Sequence, residues 1–224
     1  MSAIRPGPTA HAAAIPQLAF AVDGAEPVRH AAAPTLAFAL RIDRVGGPPV
    51  RAILLDVQIQ IAARRRRYDA AAQERLFDLF GAPEGWSSAL RTLLWTRATV
   101  IVPPFDESAA VELAVPCTYD LEVAASRYFD SLTDGEVPLE LLFSGSVFYG
   151  ERGDALQTAR LSWEHEASYR LPVQTWRETM DRHFPGAAWL RLERESYDRL
   201  AAYRSRHALA TWADVVAALL EGRE

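Results

Sequence analysis

The chain has 224 residues, a formal net charge of −5 at pH 7 and 50% hydrophobic residues, which is the composition of a globular protein built as one large domain. An acidic chain lacks the clustered positive charge that neutralises phosphates, so nucleic-acid binding is disfavoured. The single cysteine, Cys117, excludes an internal disulfide and cysteine-based zinc or iron–sulfur sites, and it favours a cytoplasmic location. No run reaches the roughly 18 apolar residues that a membrane span requires.

Residues 1–16 are rich in alanine and proline and predict a flexible N-terminal tail. Residues 17–171 predict a β-rich body, because apolar residues alternate there with polar or small ones. The pattern is clearest from Ile53 to Ile61, where every second residue is apolar. The predicted strands cover 18–22, 36–42, 53–61, 95–102, 111–115, 139–149 and 161–171.

Two helices interrupt the predicted strands. Asp69 suits an N-cap, and Leu76 and Phe80 follow at helical spacing before Gly81 ends one short inserted helix. Residues 120–132 favour a second helix, although Asp134 and Gly135 (residues 134–135) could also close a hairpin. The body is therefore predicted to be mainly β with short helical insertions.

Residues 172–224 change to the period of helices. Trp176, Met180 and Phe184 lie four residues apart, and Thr211 with Asp214 forms a capping-box pattern. An apolar stripe on the last helix comprises Trp212, Val215, Val216, Leu219 and Leu220. We predict a single α+β domain, in which an antiparallel β-sandwich-like body with an inserted short helix carries this helical segment packed against it.

The motifs that suggest catalysis have structural explanations. Glu164, His165 and Glu166 are adjacent in a predicted strand, so their side chains alternate between faces and cannot converge on a metal. His165 is expected to be a core or half-buried histidine. Cys117 beside a strand edge is expected to be a buried structural thiol. The glycines in FSGSVFYGERGD, residues 143–154, match neither a P-loop nor a dinucleotide fingerprint. No catalytic, cofactor-binding or metal-binding residue is predicted, and no cofactor.

One basic run stands out as a candidate contact surface. It comprises Arg64, Arg65, Arg66 and Arg67, followed by Tyr68. Such a cluster suits contact with phosphate or an acidic protein surface, whereas a solvated strand end is the structural alternative. An exposed tryptophan such as Trp212 would add a docking point, because aromatic and arginine side chains dominate interface hot spots.

Five stretches together resemble an uncharacterised bacterial family of about this length, whose genes lie among nickel–iron hydrogenase genes. Residues 115–148 and 176–200 carry most of the resemblance, and 34–42, 65–81 and 93–105 add to it. The resemblance implies a setting and assigns no functional residues: the chain is expected to be a maturation factor, a structural subunit or a protein merely co-regulated with hydrogenase. In the first two cases hydrogenase subunits or maturation proteins are the expected partners. With one cysteine, the chain does not suit a subunit that holds a metal centre through several thiolates.

The leading hypothesis is a non-enzymatic interaction protein that assists assembly or stability of a hydrogenase complex. The alternative is an enzyme or small-ligand-binding protein whose site gathers residues distant in sequence, such as His165, Cys117 or Glu122. Nucleic-acid binding through the arginine run is a third, weaker hypothesis.

Overall fold

The alternating segments form two antiparallel sheets, which confirms the predicted α+β sandwich-like fold. The computed structural model describes residues 14–118, 120, 123–153, 155–162, 164–187 and 191–222. In the first sheet β2 (Thr35–Gly46) lies between β1 (Gln17–Pro27) and β5 (Ser108–Pro116). Predicted tail residues 1–13 lie outside the described part of the chain.

The second sheet is built around β3 (Val50–Ile61), which pairs with β4 (Leu93–Val102) on one side and with β6 (Glu136–Tyr149) on the other. Two short strands share the far edge of β6. β7 (Gln157–Arg160) pairs with its C-terminal part, and β8 (Glu166–Pro172) pairs with its N-terminal part.

The described helices lie between the strands and after them. They are α1 (Ala70–Arg75), α2 (Phe77–Phe80), α3 (Trp86–Ala89), α4 (Ala124–Asp130), α5 (Val173–His183), α6 (Arg194–Arg206) and α7 (Trp212–Glu221). Asp69 caps α1 as predicted, since its carboxylate accepts from the Ala72 amide at 2.7 Å. The predicted single helix over 69–80 is wrong in one respect: Leu76 leaves helical geometry, at φ −90° and ψ 1°, and splits it in two.

The core lies between the two sheets, because each sheet turns its apolar side chains inward. Phe38 from β2 is fully buried, with its ring edge-on to Trp95 and to Tyr169 at 6.0 Å in each case. Phe20 stacks on Phe143 of the other sheet with ring centroids 4.5 Å apart. Fully burying one such apolar side chain contributes about 1.5–3 kcal/mol. These aromatic contacts therefore hold the two sheets together.

The chain divides into two compact units, Met1–Ala188 and Trp189–Glu224. The first includes α5, whose Trp176 ring stacks on Phe129 of α4 with centroids 5.3 Å apart. The second contains α6 and α7, and the predicted packing of these two helices on the body stays a prediction.

The strand predicted over 161–171 is wrong at its start, because the chain leaves the sheet between β7 and β8. The last pair of β7 is Arg160 with Ser146 and the first pair of β8 is Glu166 with Leu142, so more residues separate the two pairs along the partner segment than along β6. Two hydrogen bonds hold this bulge: the Leu161 amide donates to the Gly145 carbonyl at 3.1 Å, and the Phe143 amide donates to the His165 carbonyl at 2.9 Å. Trp163, predicted to lie in the same strand, is outside the described residues.

Glycine is required in β6 at the position of this bulge. Gly145 has φ +137°, a region that other residues rarely adopt, and a Cβ atom there would lie 2.0 Å from the Leu54 carbonyl oxygen of β3. The backbones of β3 and β6 thus approach so closely at Gly145 that no side chain fits there.

Replacing Gly145 by alanine should lower the free energy of unfolding by at least about 2 kcal/mol, because the new methyl group meets backbone that cannot move away. Denaturant unfolding followed by circular dichroism measures the loss. Gly153→Ala is the matched control, since Gly153 also has positive φ, at +102°, but no group of the described residues lies within 4 Å of the position that its new methyl would take. Equal losses in the two variants would contradict the role of close approach.

Candidate functional site

Three of the four arginines in the run bind groups of the same chain. Arg64 lies beside the end of α3, where its Nε donates to the Leu90 carbonyl at 2.6 Å and its Nη2 donates to the Ser87 carbonyl at 2.9 Å. Arg65 forms an ion pair with Glu140 of β6 at 2.7 Å. Both side chains therefore join the end of β3 to neighbouring segments.

Arg66 is the most deeply placed of the four, with 12% of its side chain exposed. Its Nη1 donates to the Glu136 carbonyl and its Nη2 donates to the Asp134 carbonyl, each at 2.7 Å. Its Nε is buried without a hydrogen-bond partner in the described chain, and its guanidinium lies 5.9 Å from the Tyr68 ring centroid. Arg66 therefore braces the turn that begins β6.

Arg67 differs from its three neighbours. Its side chain is exposed, and no residue of the described ranges forms a hydrogen bond or ion pair with it. Of the four predicted contact arginines, Arg67 has the guanidinium most available to a partner protein.

Tyr68 is half-buried and its hydroxyl is used inside the fold. The Tyr68 hydroxyl donates to the Ala63 carbonyl at 2.7 Å, which leaves the Tyr128 hydroxyl, 2.7 Å away, to donate to the Tyr68 oxygen. Burial, followed by the neighbouring Tyr128 phenol, raises the pKa of Tyr68 far above its ordinary value, and burial likewise raises the pKa of Tyr128. This pair is a structural network that links the start of α1 to α4.

The described residues of the alternative site, which would gather side chains distant in sequence, have structural roles. Cys117 is buried, its thiol donates to the Val115 carbonyl at 3.6 Å, and burial raises its pKa to about 12. His165 is half-buried, with its ring 5.2 Å from that of Phe20, as expected. Glu122 lies outside the described residues. Within the described ranges no group of three or more His, Cys, Asp or Glu side chains could hold a metal ion.

The second unit exposes an apolar stripe on α7. The predicted capping box is present, since the Asp214 amide donates to the Thr211 hydroxyl at 3.1 Å and the Thr211 amide donates to the Asp214 carboxylate at 2.8 Å. Trp212 lies under the Arg204 guanidinium, 5.1 Å from its ring centroid. The stripe consists of Trp212, Val216, Leu219 and Leu220, which are 40%, 55%, 39% and 65% exposed.

A depression on the outer face of the second sheet was not anticipated. It has a volume of about 470 Å³ and lies over Gly145, where β3, β6 and β7 adjoin. Its lining residues are Leu54, Asp56, Ser144, Gly145, Ser146, Arg160, Leu161 and Ser162. The sequence held one signal for it: Ser144 and Ser146 flank a glycine within a strand, so both hydroxyls lie on one face.

Replacing Arg66 by alanine should lower the free energy of unfolding by about 2 kcal/mol or more, because two charge-assisted hydrogen bonds to carbonyls are lost. Arg67→Ala should change it by less than about 0.5 kcal/mol, since an exposed, unpaired side chain adds little. Chemical denaturation of both variants measures the difference. Equal effects would show that Arg66 does not brace the turn.

The tyrosine pair should make the protein less stable in alkali. The pKa values of Tyr68 and Tyr128 are raised in the folded state, so the unfolded chain loses these protons first, near pH 10. The stability they contribute is fully present below about pH 10 and declines as pH rises further. Unfolding free energies measured across this range should fall less steeply for Tyr128→Phe than for the natural chain. Identical slopes would contradict this assignment.

No helix within the described ranges is long and apolar enough to cross a bilayer. Among solved structures, the chain is similar to the β-glucosidase of Kluyveromyces marxianus, with 13% identity over 69% of this chain and 15% of that one, at a TM-score of 0.24. It is also similar to β-glucosidase 3B of Thermotoga neapolitana in complex with glycerol, with 16% identity over 69% of this chain and 17% of that one, at a TM-score of 0.25. The chain thus spans under a fifth of these enzymes, and likeness at this level carries no argument about activity.

No curated protein matches the sequence. A family model described as "Family of unknown function (DUF6084)" matches residues 15–224, which include both sheets and every described helix. The chain therefore belongs to this family of unknown function.

Proposed function

We propose that this chain is a non-enzymatic accessory protein that binds another protein through the exposed apolar stripe of α7. The observation that supports the proposal is the exposure of Trp212, Val216, Leu219 and Leu220 along one face of a well-capped helix. Four large apolar side chains on one helical face form a contiguous patch of the kind that marks interaction sites.

The two described helices of the second unit bury few of their own side chains. No residue of α6 is buried, and Val215 is the buried residue of α7. Two helices of 13 and 10 residues are marginal in water without a larger packed surface. Burial of the stripe against another apolar surface would stabilise both helices, which gives a physical reason for binding.

Trp212 is well suited to anchor such a contact. Its ring contacts both Arg204, whose guanidinium lies 5.1 Å from the ring centroid, and Tyr197, whose ring centroid lies 5.5 Å from that of Trp212. Arg204 is itself fixed, since its Nη2 donates to the Ala210 carbonyl at 2.9 Å. Tryptophan, tyrosine and arginine are the side chains that dominate interface energies. The anchor is therefore oriented before a partner arrives.

The proposed partner class is a nickel–iron hydrogenase subunit or maturation protein. This part of the proposal rests on the sequence resemblance described above and on the single cysteine, which suits a helper better than a metal-carrying subunit. Arg67, exposed and unpaired within the described chain, offers a second contact point for an acidic partner surface.

The first test is co-purification. The full chain, tagged in its native host and isolated gently under hydrogenase-expressing conditions, should bring down hydrogenase subunits or maturation proteins in near-stoichiometric amounts. Mass spectrometry identifies them. A partner-free protein under those conditions would contradict the accessory role.

Paired variants test the surface. Val216→Ser with Leu220→Ser should reduce co-purification at least about tenfold, because two apolar contacts are lost. Ala213→Ser with Ala217→Ser is the matched control on the same helix, since both alanines are exposed and outside the stripe. Arg67→Ser tests the second contact point without disturbing Arg64, Arg65 or Arg66. Equal recovery with the stripe and control variants would exclude α7 as the contact surface.

A further inference from the structure

The depression over Gly145 gathers polar side chains from three strands. Strand register explains why they meet: Asp56 of β3 lies opposite Ser144 of β6, and Ser146 of β6 lies between Leu54 of β3 and Arg160 of β7. Directly paired residues point to the same face of a sheet, so the carboxylate, two hydroxyls and the guanidinium share the outer face.

Arg160 differs from the other strand arginines. Each of the others binds a group of the same chain with its guanidinium. Arg44 and Arg51 donate to the carbonyls of Asp106 and Gly150, and Arg97 donates to the side chain of Gln58. Arg41 forms an ion pair with Asp23, and Arg170 forms one with Glu136. No group in the described ranges accepts a hydrogen bond from Arg160. Its five donors are therefore available at the depression.

The other polar groups are either available or held in place. No hydrogen bond from the described chain engages the side chains of Ser144 and Ser146. Asp56 is oriented by the Thr99 hydroxyl, which donates to one carboxylate oxygen at 2.7 Å and leaves the other oxygen without a protein donor in the described ranges. Among the described residues, the site thus presents one oriented acceptor, two hydroxyls that can donate or accept, and one guanidinium without a partner.

The floor of the depression is rigid. The Leu54 carbonyl lies close against the Cα of Gly145, and the Gly145 carbonyl accepts a hydrogen bond from the Leu161 amide at 3.1 Å. Bulges of this kind re-aim side chains and are enriched next to functional sites. These contacts fix the backbone beneath the polar side chains, and sites carried on strands are held more precisely than sites on loops.

We propose that this depression binds a small zwitterion, an amino acid with an apolar side chain. Arg160 would receive the carboxylate through paired charge-assisted hydrogen bonds, and Asp56 would accept from the ammonium group. Ser144 and Ser146 lie between them and can donate or accept. Leu54, 45% exposed, and Leu161 give the side chain an apolar wall.

Charge selects against other small ligands. A dianion such as phosphate is attracted by Arg160 but repelled by Asp56 in the same depression. A simple cation is attracted by Asp56 but repelled by Arg160. A ligand that carries one charge of each sign satisfies both groups, and a volume of about 470 Å³ accommodates an amino acid.

The test is a two-dimensional amide NMR titration of the full chain with L-leucine. Isocaproate lacks the ammonium group and isoamylamine lacks the carboxylate, so each is a matched probe. Leucine should shift the amides of Gly145, Ser146, Arg160 and Leu161 saturably, and each probe should bind at least about tenfold more weakly. Isocaproate or isoamylamine binding as tightly as leucine would overturn the zwitterion, and unshifted amides in this group would overturn the site.

Two variants test the residues. Arg160→Gln and Asp56→Asn should each weaken leucine binding at least about tenfold. Arg152→Gln is the control, because Arg152 is exposed and does not line the depression. Unchanged affinity in Arg160→Gln would remove it from the proposal. None of these substitutions touches α7, so failure here and failure of the proposed protein contact are distinguishable.

Discussion

The close approach of β6 to β3 at Gly145 determines how the second sheet is built. β6 is a strand of 14 residues that pairs with β3 along one side and with two separate strands along the other. At Gly145 a Cβ atom would overlap the Leu54 carbonyl, so the strand can remain in the sheet only with glycine there. The same position lies opposite the bulge between β7 and β8.

This local geometry has consequences on both faces of the sheet. On the inner face, the Phe143 ring stacks on Phe20 of the first sheet, two residues before Gly145. Outward, Ser144 and Ser146 lie on either side of a residue without a side chain, and the depression forms above them. The packing on the inner face and the depression on the outer face thus both lie at one backbone contact.

The arginine run shows how one residue type is divided between structure and surface. A guanidinium has several donors in a fixed plane, so it can satisfy two carbonyls at once, and Arg64 and Arg66 both do so. These bonds connect the end of β3 to α3 and to the start of β6. Arg67, the last of the run, has no such acceptor within the described chain. A contact role for the run is therefore best examined at Arg67.

Sequence alternation by itself determined most of the strands, because period-two burial depends only on neighbours along the chain. It did not predict β7 or the late start of β8, where the chain leaves the alternating pattern. Thr211 and Asp214 likewise determined the start of α7, since a capping box is local. The half-buried state of His165 also followed from its position in the pattern. Only the tertiary structure decided which arginines donate hydrogen bonds within the chain, because the carbonyls of Leu90, Asp134 and Glu136 that accept them lie far along the sequence. It also decided the depression over Gly145, because strand register brings Asp56 and Arg160 to the same face, and register is set by pairing between distant segments.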